Sequence, residues 1–154
     1  MIHETGIYVF ESKNYSGWIF GSEKNKYWTQ SLHIGKGRTE KHQFFNPIIQ
    51  NKVHIKWLKN LLCEYSNISY FSFIVFSQRC SLKRIEIDSK NIFVMNRTAL
   101  IKVIQNVVMQ ASKTLSHEDI DKIYSLLKSS SQVDYGTQQK HVNKIKEKHM
   151  DNKN

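Results

Sequence analysis

Apolar residues fall in short bursts through the first third of the chain and in wider-spaced stripes through the last third. Ile7 to Phe10 is β-branched and aromatic and follows Thr5-Gly6, the composition of a strand behind a turn. Tyr15-Ser16-Gly17 marks a second turn, Trp18-Ile19-Phe20 the next strand, and Lys26 to Leu32 alternates well enough for a third. From Leu32 to Phe44 the pattern lapses, and its basic part, His33-Ile34-Gly35-Lys36-Gly37-Arg38, reads as an exposed loop. Residues 1–45 therefore predict a β-meander.

Asn46-Pro47 then signals a helix start, because Asn caps well and Pro is preorganised for the first helical position. Ile48, Ile49, Val53, Ile55, Leu58, Leu61 and Leu62 carry helical spacing to about Tyr65. Tyr70 to Phe76 is apolar nearly throughout, as expected of a strand covered on both faces. Ile85-Glu86-Ile87 and Ile92 to Met95 predict short strands around an Asp88-Ser89-Lys90-Asn91 loop. Leu100, Val103, Ile104, Val107, Val108 and Ala111 form one helical stripe. Ser116-His117-Glu118-Asp119 resembles a capping box, with Asp in place of Glu, heading a helix over Ile120 to Leu127. Ser129-Ser130-Ser131 breaks that pattern, and Gln138 to Lys148 is a polar, lysine-rich helix or tail. The order β-β-β-α-β-β-β-α-α indicates the α/β class, a mixed β-sheet flanked by helices with a helical C-terminal part. The expected division is 1–112 for the sheet-bearing domain and 113–154 for a helical extension and basic tail.

Composition changes the picture in one respect. The 154 residues hold 23 Lys and Arg against 13 Asp and Glu, a net charge of +10, and 40% are hydrophobic. The apolar share suits a folded domain, and the excess charge favours a polyanionic partner, with nucleic acid ahead of an anionic membrane. Cys63 and Cys80 are too few for a disulfide scaffold and not in metal-ligand spacing, so both read as reduced thiols. The seven histidines show no zinc-like spacing, and Gly35-Lys36-Gly37 lacks the P-loop pattern. No apolar run approaches the ~18 residues of a membrane span and no signal-peptide core opens the chain, so a soluble cytoplasmic protein without membrane contact is expected. Trp18, Trp28 and Trp57 could stack on bases, but interleaved with strands and a helix they read as core or half-buried.

The candidate chemistry lies at the end of the first strand. Side chains alternate along a strand, so Glu11 and Lys13 share a face and Ser12 points away. A carboxylate holds Mg²⁺ or Mn²⁺, the Ser12 carbonyl can add a ligand, and the Lys13 ammonium can steady charge on a scissile phosphate. Taken alone, Glu-x-Lys is also common on solvated strands.

Other stretches make it less ordinary. Gly6-Ile7-Tyr8-Val9-Phe10-Glu11-Ser12-Lys13-Asn14-Tyr15-Ser16-Gly17, Trp18-Ile19-Phe20-Gly21, Trp28-Thr29-Gln30 and Asn46 to Ile55 together resemble the nuclease-related domain (NERD) family. Phe73 to Ser77, Val94 before the Leu100 helix, Ile120 to Ile123, and Gln132-Val133 leading to His141-Val142 extend the likeness over nearly the whole chain. The resemblance implies a PD-(D/E)XK restriction-endonuclease-like fold and metal-dependent cleavage or processing of DNA, in a family that is mostly bacterial. On that pattern Glu11 and Lys13 match the second acid and the lysine. Gln50 and His54 resemble the Gln-x-x-x-Tyr helix of RecB-like nucleases, with His in the Tyr position, which makes Gln50 a candidate for contacting the metal site or the DNA backbone. Lys13, Lys36, Arg38 and Lys52 are the expected DNA contacts.

The family pattern also has an Asp one strand earlier and a Glu in a preceding helix, for which this sequence offers no counterpart. If Thr5-Gly6 is a two-residue hairpin turn, residue 3 faces 8 and residue 2 faces 9, so the partner of Glu11 falls before Met1. Glu4 sits at the turn and cannot be the second ligand. The expectation is a nuclease domain without its first strand and covering helix. Mg²⁺ or Mn²⁺ would then be weakly held, activity weak or absent, and self-association favoured by the uncovered sheet. A non-catalytic nucleic-acid-binding module and a truncated gene product without independent activity stand as alternatives.

Overall fold

The computed structural model describes residues 1–65 and 67–131. Five strands come first: β1 (Ile2–His3), β2 (Gly6–Lys13), β3 (Gly17–Ser22), β4 (Tyr27–His33) and β5 (Thr39–Phe45). Helix α1 (Pro47–Leu61) follows, then β6 (Tyr70–Phe76), β7 (Cys80–Glu86), β8 (Ile92–Asn96), α2 (Leu100–Gln110) and α3 (His117–Ser131). The described residues fall into two units, Met1–His117 and one that begins at Glu118. The predicted helix or tail over Gln138 to Lys148 lies outside the described residues.

The α/β class is as predicted, and the strands sort into two mixed sheets. One has the order β1-β2-β6-β8 and the other β5-β4-β3-β7. In the first, β2, β6 and β8 run parallel, with Glu11 beside Ile74 and Lys13 beside Phe76. Ile19, Trp28, Ile48, Ile74, Phe76, Cys80 and Ile92 form one buried cluster that joins both sheets to α1. Trp28 stacks on Phe76 at 6.1 Å between ring centroids, and its indole N–H donates to the Ser22 carbonyl. On the opposite face of the first sheet, Tyr8, Phe73, Val75 and Met95 pack with Val107 of α2. β6, apolar on both faces, is the strand these two clusters share.

Asn46 explains where α1 starts. Its Oδ1 accepts from the Ile48 N–H at 2.8 Å, and its Nδ2 donates to the carbonyls of Ser22, Glu23 and Asn25. One buried side chain thus caps the helix and fixes the β3–β4 turn beneath it. Asn51, one turn on, donates to the Val9 carbonyl and the Ser72 hydroxyl, tying α1 to β2 and β6.

The structure departs from the sequence expectations in five places. Residues 39–45 form strand β5 and not a loop: paired with β4 from His33↔Thr39 to Tyr27↔Phe45, they lie at a sheet edge where Phe44 packs on Tyr15 and Trp28 and the other six residues are exposed, so no apolar period marks the strand. β7 likewise begins at Cys80, ahead of the apolar Ile85: on this edge strand Ser81, Lys83 and Arg84 are exposed and Leu82 alone between them packs on the core. Ser129 to Ser131 continue α3, their hydroxyls bonding carbonyls of the preceding turn, Leu126 and Lys128. Trp18 is 51% exposed with Lys83 Nζ 4.9 Å from its ring, and Trp57 is 72% exposed; among the tryptophans Trp28 is the core residue. Finally, the N-terminal register is two residues off the hairpin expected: Ile2 faces Ile7 and His3 faces Gly6, with Glu4-Thr5 at the turn. Gly6 belongs to the strand because its φ of 136° and the close Ser69 carbonyl leave no space for a Cβ. The Glu4 carbonyl, bonded by the N–H groups of Thr114 and Leu115, holds the turn in place.

Candidate functional site

β2 begins buried and ends exposed. Gly6 to Tyr8 lie in the core, while Phe10 to Lys13 rise toward the carboxyl end of the parallel strands. In open α/β sheets that end is where ligands bind, because the chain leaves the sheet there and opens a crevice.

Glu11 and Lys13 share a face, as alternation predicts. Lys13 Nζ lies 2.7 Å from Glu11 Oε1, and each side chain is 17% exposed. His54, on α1, brings Nε2 to 3.4 Å from Glu11 Oε2. The carboxylate thus has a cationic or titratable group at each oxygen. Helical spacing puts His54 one turn from Gln50, but its approach to Glu11 depends on α1 lying along β2, which no local pattern in the sequence reports. Gln50 itself is half-buried, and its Oε1 has no hydrogen-bond partner.

The backbone at Ser12 is open. Tyr8 exchanges hydrogen bonds with Met1 across the β1 side, whereas Ile7 and Lys13 bond toward Ser69 and Ser77 on the β6 side. By alternation the N–H and C=O groups of Phe10 and Ser12 face the β1 side, where no strand among the described residues pairs with them.

Glu11 offers one carboxylate, and the Ser12 carbonyl one further oxygen, to any divalent cation at this end of β2. Mg²⁺ takes about six oxygen ligands, of which one or two are carboxylates and the rest waters or phosphate oxygens. Among the described residues no three His, Cys, Asp or Glu side chains converge. Glu11 is already ion-paired with Lys13. Glu4 is engaged elsewhere: Lys113 Nζ lies at 2.6 Å and His117 Nε2 at 3.2 Å, and the Lys113 hydrogen bond holds its carboxyl below the usual range.

The other predicted contacts are scattered. Lys36 and Arg38 lie at the tip of the β4–β5 hairpin in the second sheet. Lys52 pairs with Glu23 at 3.0 Å, so its charge is engaged in structure. Glu23 also accepts from the Ser89 hydroxyl and the backbone N–H groups of Asp88 and Ser89; the Ser89 bond, then Lys52, lowers its pKa to about 2.

Two arginines absent from the sequence expectations border the crevice instead. A cleft of about 440 Å³ is lined by Lys13, Asn14, Ser77, Gln78, Arg79 and Arg97, among others, with no carboxylate in its wall. Arg79 follows the end of β6 and Arg97 the end of β8. The signal available in the sequence was position: basic residues within a few places of the carboxyl end of an apolar strand.

Comparison with known proteins identifies the family. The chain is 34% identical over 142 residues to an uncharacterised protein of Bacillus anthracis, a match that covers 92% of this chain. The chain spans 62% of that relative's length. No solved structure matches. Among the described residues, no helix is long and apolar enough to cross a membrane. The nuclease-related domain family model matches residues 1–77, half of the chain and the part that carries Glu11, Lys13, Gln50 and His54. The chain is nuclease-like and belongs to the nuclease-related domain family.

Proposed function

We propose that this protein binds DNA across the face bearing Glu11 and Lys13, and that its own residues leave strand scission slow or absent. The observation that carries this reading is the Glu11–Lys13 ion pair at 2.7 Å on one face of β2, beside a cleft walled by cations. Lys13 can exchange its hydrogen bond to Glu11 for one to a phosphate oxygen. His54 stands close enough to hold the carboxylate in place during that exchange. With one carboxylate there is little to activate a water and nothing to share the charge of a departing oxygen, which is where phosphodiester hydrolysis needs help. A net charge of +10 draws the polyanion in and makes binding fall steeply with salt.

The test uses purified protein with labelled duplex and single-stranded DNA, and separately with supercoiled plasmid and Mn²⁺. Binding that persists in chelator, with plasmid left intact, is the expected outcome. Plasmid cleavage that disappears in Glu11→Ala would show a working metal-dependent nuclease and overturn the proposal. Failure to bind any DNA would remove the reading altogether.

A further inference from the structure

We propose that the cleft at the carboxyl ends of β2, β6 and β8 is a phosphate-binding site, with Arg79 and Arg97 as its principal donors. The proposal rests on the DNA-binding reading above and deepens it by naming the group that is gripped and where.

Charge bookkeeping singles out this cleft. Of its three cations, Lys13 is paired with Glu11; among the described residues, Arg79 donates from Nη2 to the neutral Asn14 Oδ1 at 2.8 Å and neither arginine has an ion pair. Two guanidinium groups therefore border one cavity without a facing carboxylate. Bringing like charges to a shared wall costs energy unless an anion joins them, and guanidinium geometry suits phosphate oxygens in a two-pronged grip.

The wall is braced, which separates it from a chance gathering of surface cations. Asn96, at the end of β8, donates from Nδ2 to the carbonyls of Ser77 at 2.8 Å and Cys80 at 3.0 Å. One side chain thereby ties the turn bearing Arg79 to the residue preceding Arg97. The same turn is closed by the Ser77 hydroxyl, which donates to the Tyr15 carbonyl and accepts from the Arg79 N–H. Arg79 also returns its carbonyl to the Gly17 N–H. Both arginine backbones are thus fixed before any ligand arrives, so less ordering is required on binding.

The phosphate could be an internal phosphodiester or a strand's terminal phosphate. The experiment measures wild type, Arg97→Gln and Arg79→Gln in chelator, with an oligonucleotide bearing a 5′-phosphate and its 5′-hydroxyl twin. Each substitution is expected to weaken binding on the order of tenfold and to lower the salt slope by about one. Equal loss on both oligonucleotides assigns the site to internal phosphodiesters; a loss confined to the phosphorylated strand assigns it to an end. A pyrophosphate titration of the same three proteins, followed by NMR, supplies an arm that needs no DNA. Pyrophosphate shifts lost in Arg97→Gln support the cleft even if DNA binding fails and the broader reading falls with it. DNA bound with unchanged affinity and slope by both variants, together with pyrophosphate shifts the substitutions do not alter, would overturn the cleft and leave the DNA-binding reading standing. Absence of both DNA binding and pyrophosphate shifts in the wild type would overturn both.

Discussion

His54 Nε2 and Glu11 Oε2 stand 3.4 Å apart, one on helix α1 and the other on strand β2. Together with the Lys13 ion pair, this makes Glu11 the negative centre of an otherwise basic face. The carboxylate therefore opposes an incoming phosphate unless a metal bridges the two. Glu11→Gln is expected to bind DNA a few-fold more tightly in chelator, as measured by fluorescence anisotropy. Adding Mn²⁺ should leave the ranking unchanged. Tighter binding by the wild type when Mn²⁺ is present would mean that Glu11 holds a cation after all.

Glu23 gives the fold an acid-sensitive clasp. Its pKa of about 2 lies below the ~4.3 of a free glutamate, so its stabilisation is complete above the unfolded value and is lost as pH falls through about 2. Glu23→Gln weakens the bonds to Lys52, Ser89 and Asp88 and should cost about 1–3 kcal/mol at pH 7. Urea midpoints taken at pH 7 and pH 3 should show the gap between wild type and variant narrowing in acid. A gap that stays constant would show that the carboxylate charge has no part in it.

Asn46→Ala removes the α1 cap and takes a donor from the Glu23 and Asn25 carbonyls, while the Ser22 carbonyl keeps the Trp28 indole N–H. A lost cap costs ~1 kcal/mol and the two part-buried carbonyls left without this donor add to it, so a total of about 2–3 kcal/mol is expected in chemical denaturation. Asn46→Asp keeps the Oδ1 acceptor for Ile48 but cannot donate to the carbonyls. It should fall between the two, and an Asp variant as stable as wild type would assign the whole effect to the cap.

Gly21 illustrates a constraint of shape. A Cβ there would run into the Trp28 indole, which is 1% exposed and stacked on Phe76. Gly21→Ala must displace that ring and should lower stability by about 1–3 kcal/mol, with a shift in near-UV circular dichroism. Trp57→Ala, at an exposed position, should change stability by under ~0.5 kcal/mol and strip out the tryptophan most accessible to iodide quenching. If instead Trp57→Ala destabilises strongly, the exposed placement of that ring is wrong.

What the sequence reveals depends on where each stretch meets water. Tyr70 to Phe76 is legible as a doubly covered strand because both faces are buried, and Asn46-Pro47 because caps are local chemistry. Thr39 to Phe45 is illegible for the converse reason: an edge strand that anchors to the core through Phe44 alone needs no apolar period. The shared face of Glu11 and Lys13 follows from alternation alone. The reach of His54 to Glu11, and the placing of Arg79 and Arg97 on one cleft, depend on how α1 crosses the sheet and which strands lie adjacent. Those are long-range pairings that no window along the chain contains. Trp57 misleads because helical spacing says which residues share a stripe and not which stripe faces inward.

The two thiols provide a ready-made reporter of the arginine cleft. Cys80 is buried beneath Asn96 in the turn that carries Arg79, and burial pushes its pKa up, so in the resting fold it should resist alkylation. Cys63, exposed just past the end of α1, should react at once. A fast and a slow labelling phase are therefore built into the native chain, and the slow one is a clock for how often that turn springs open.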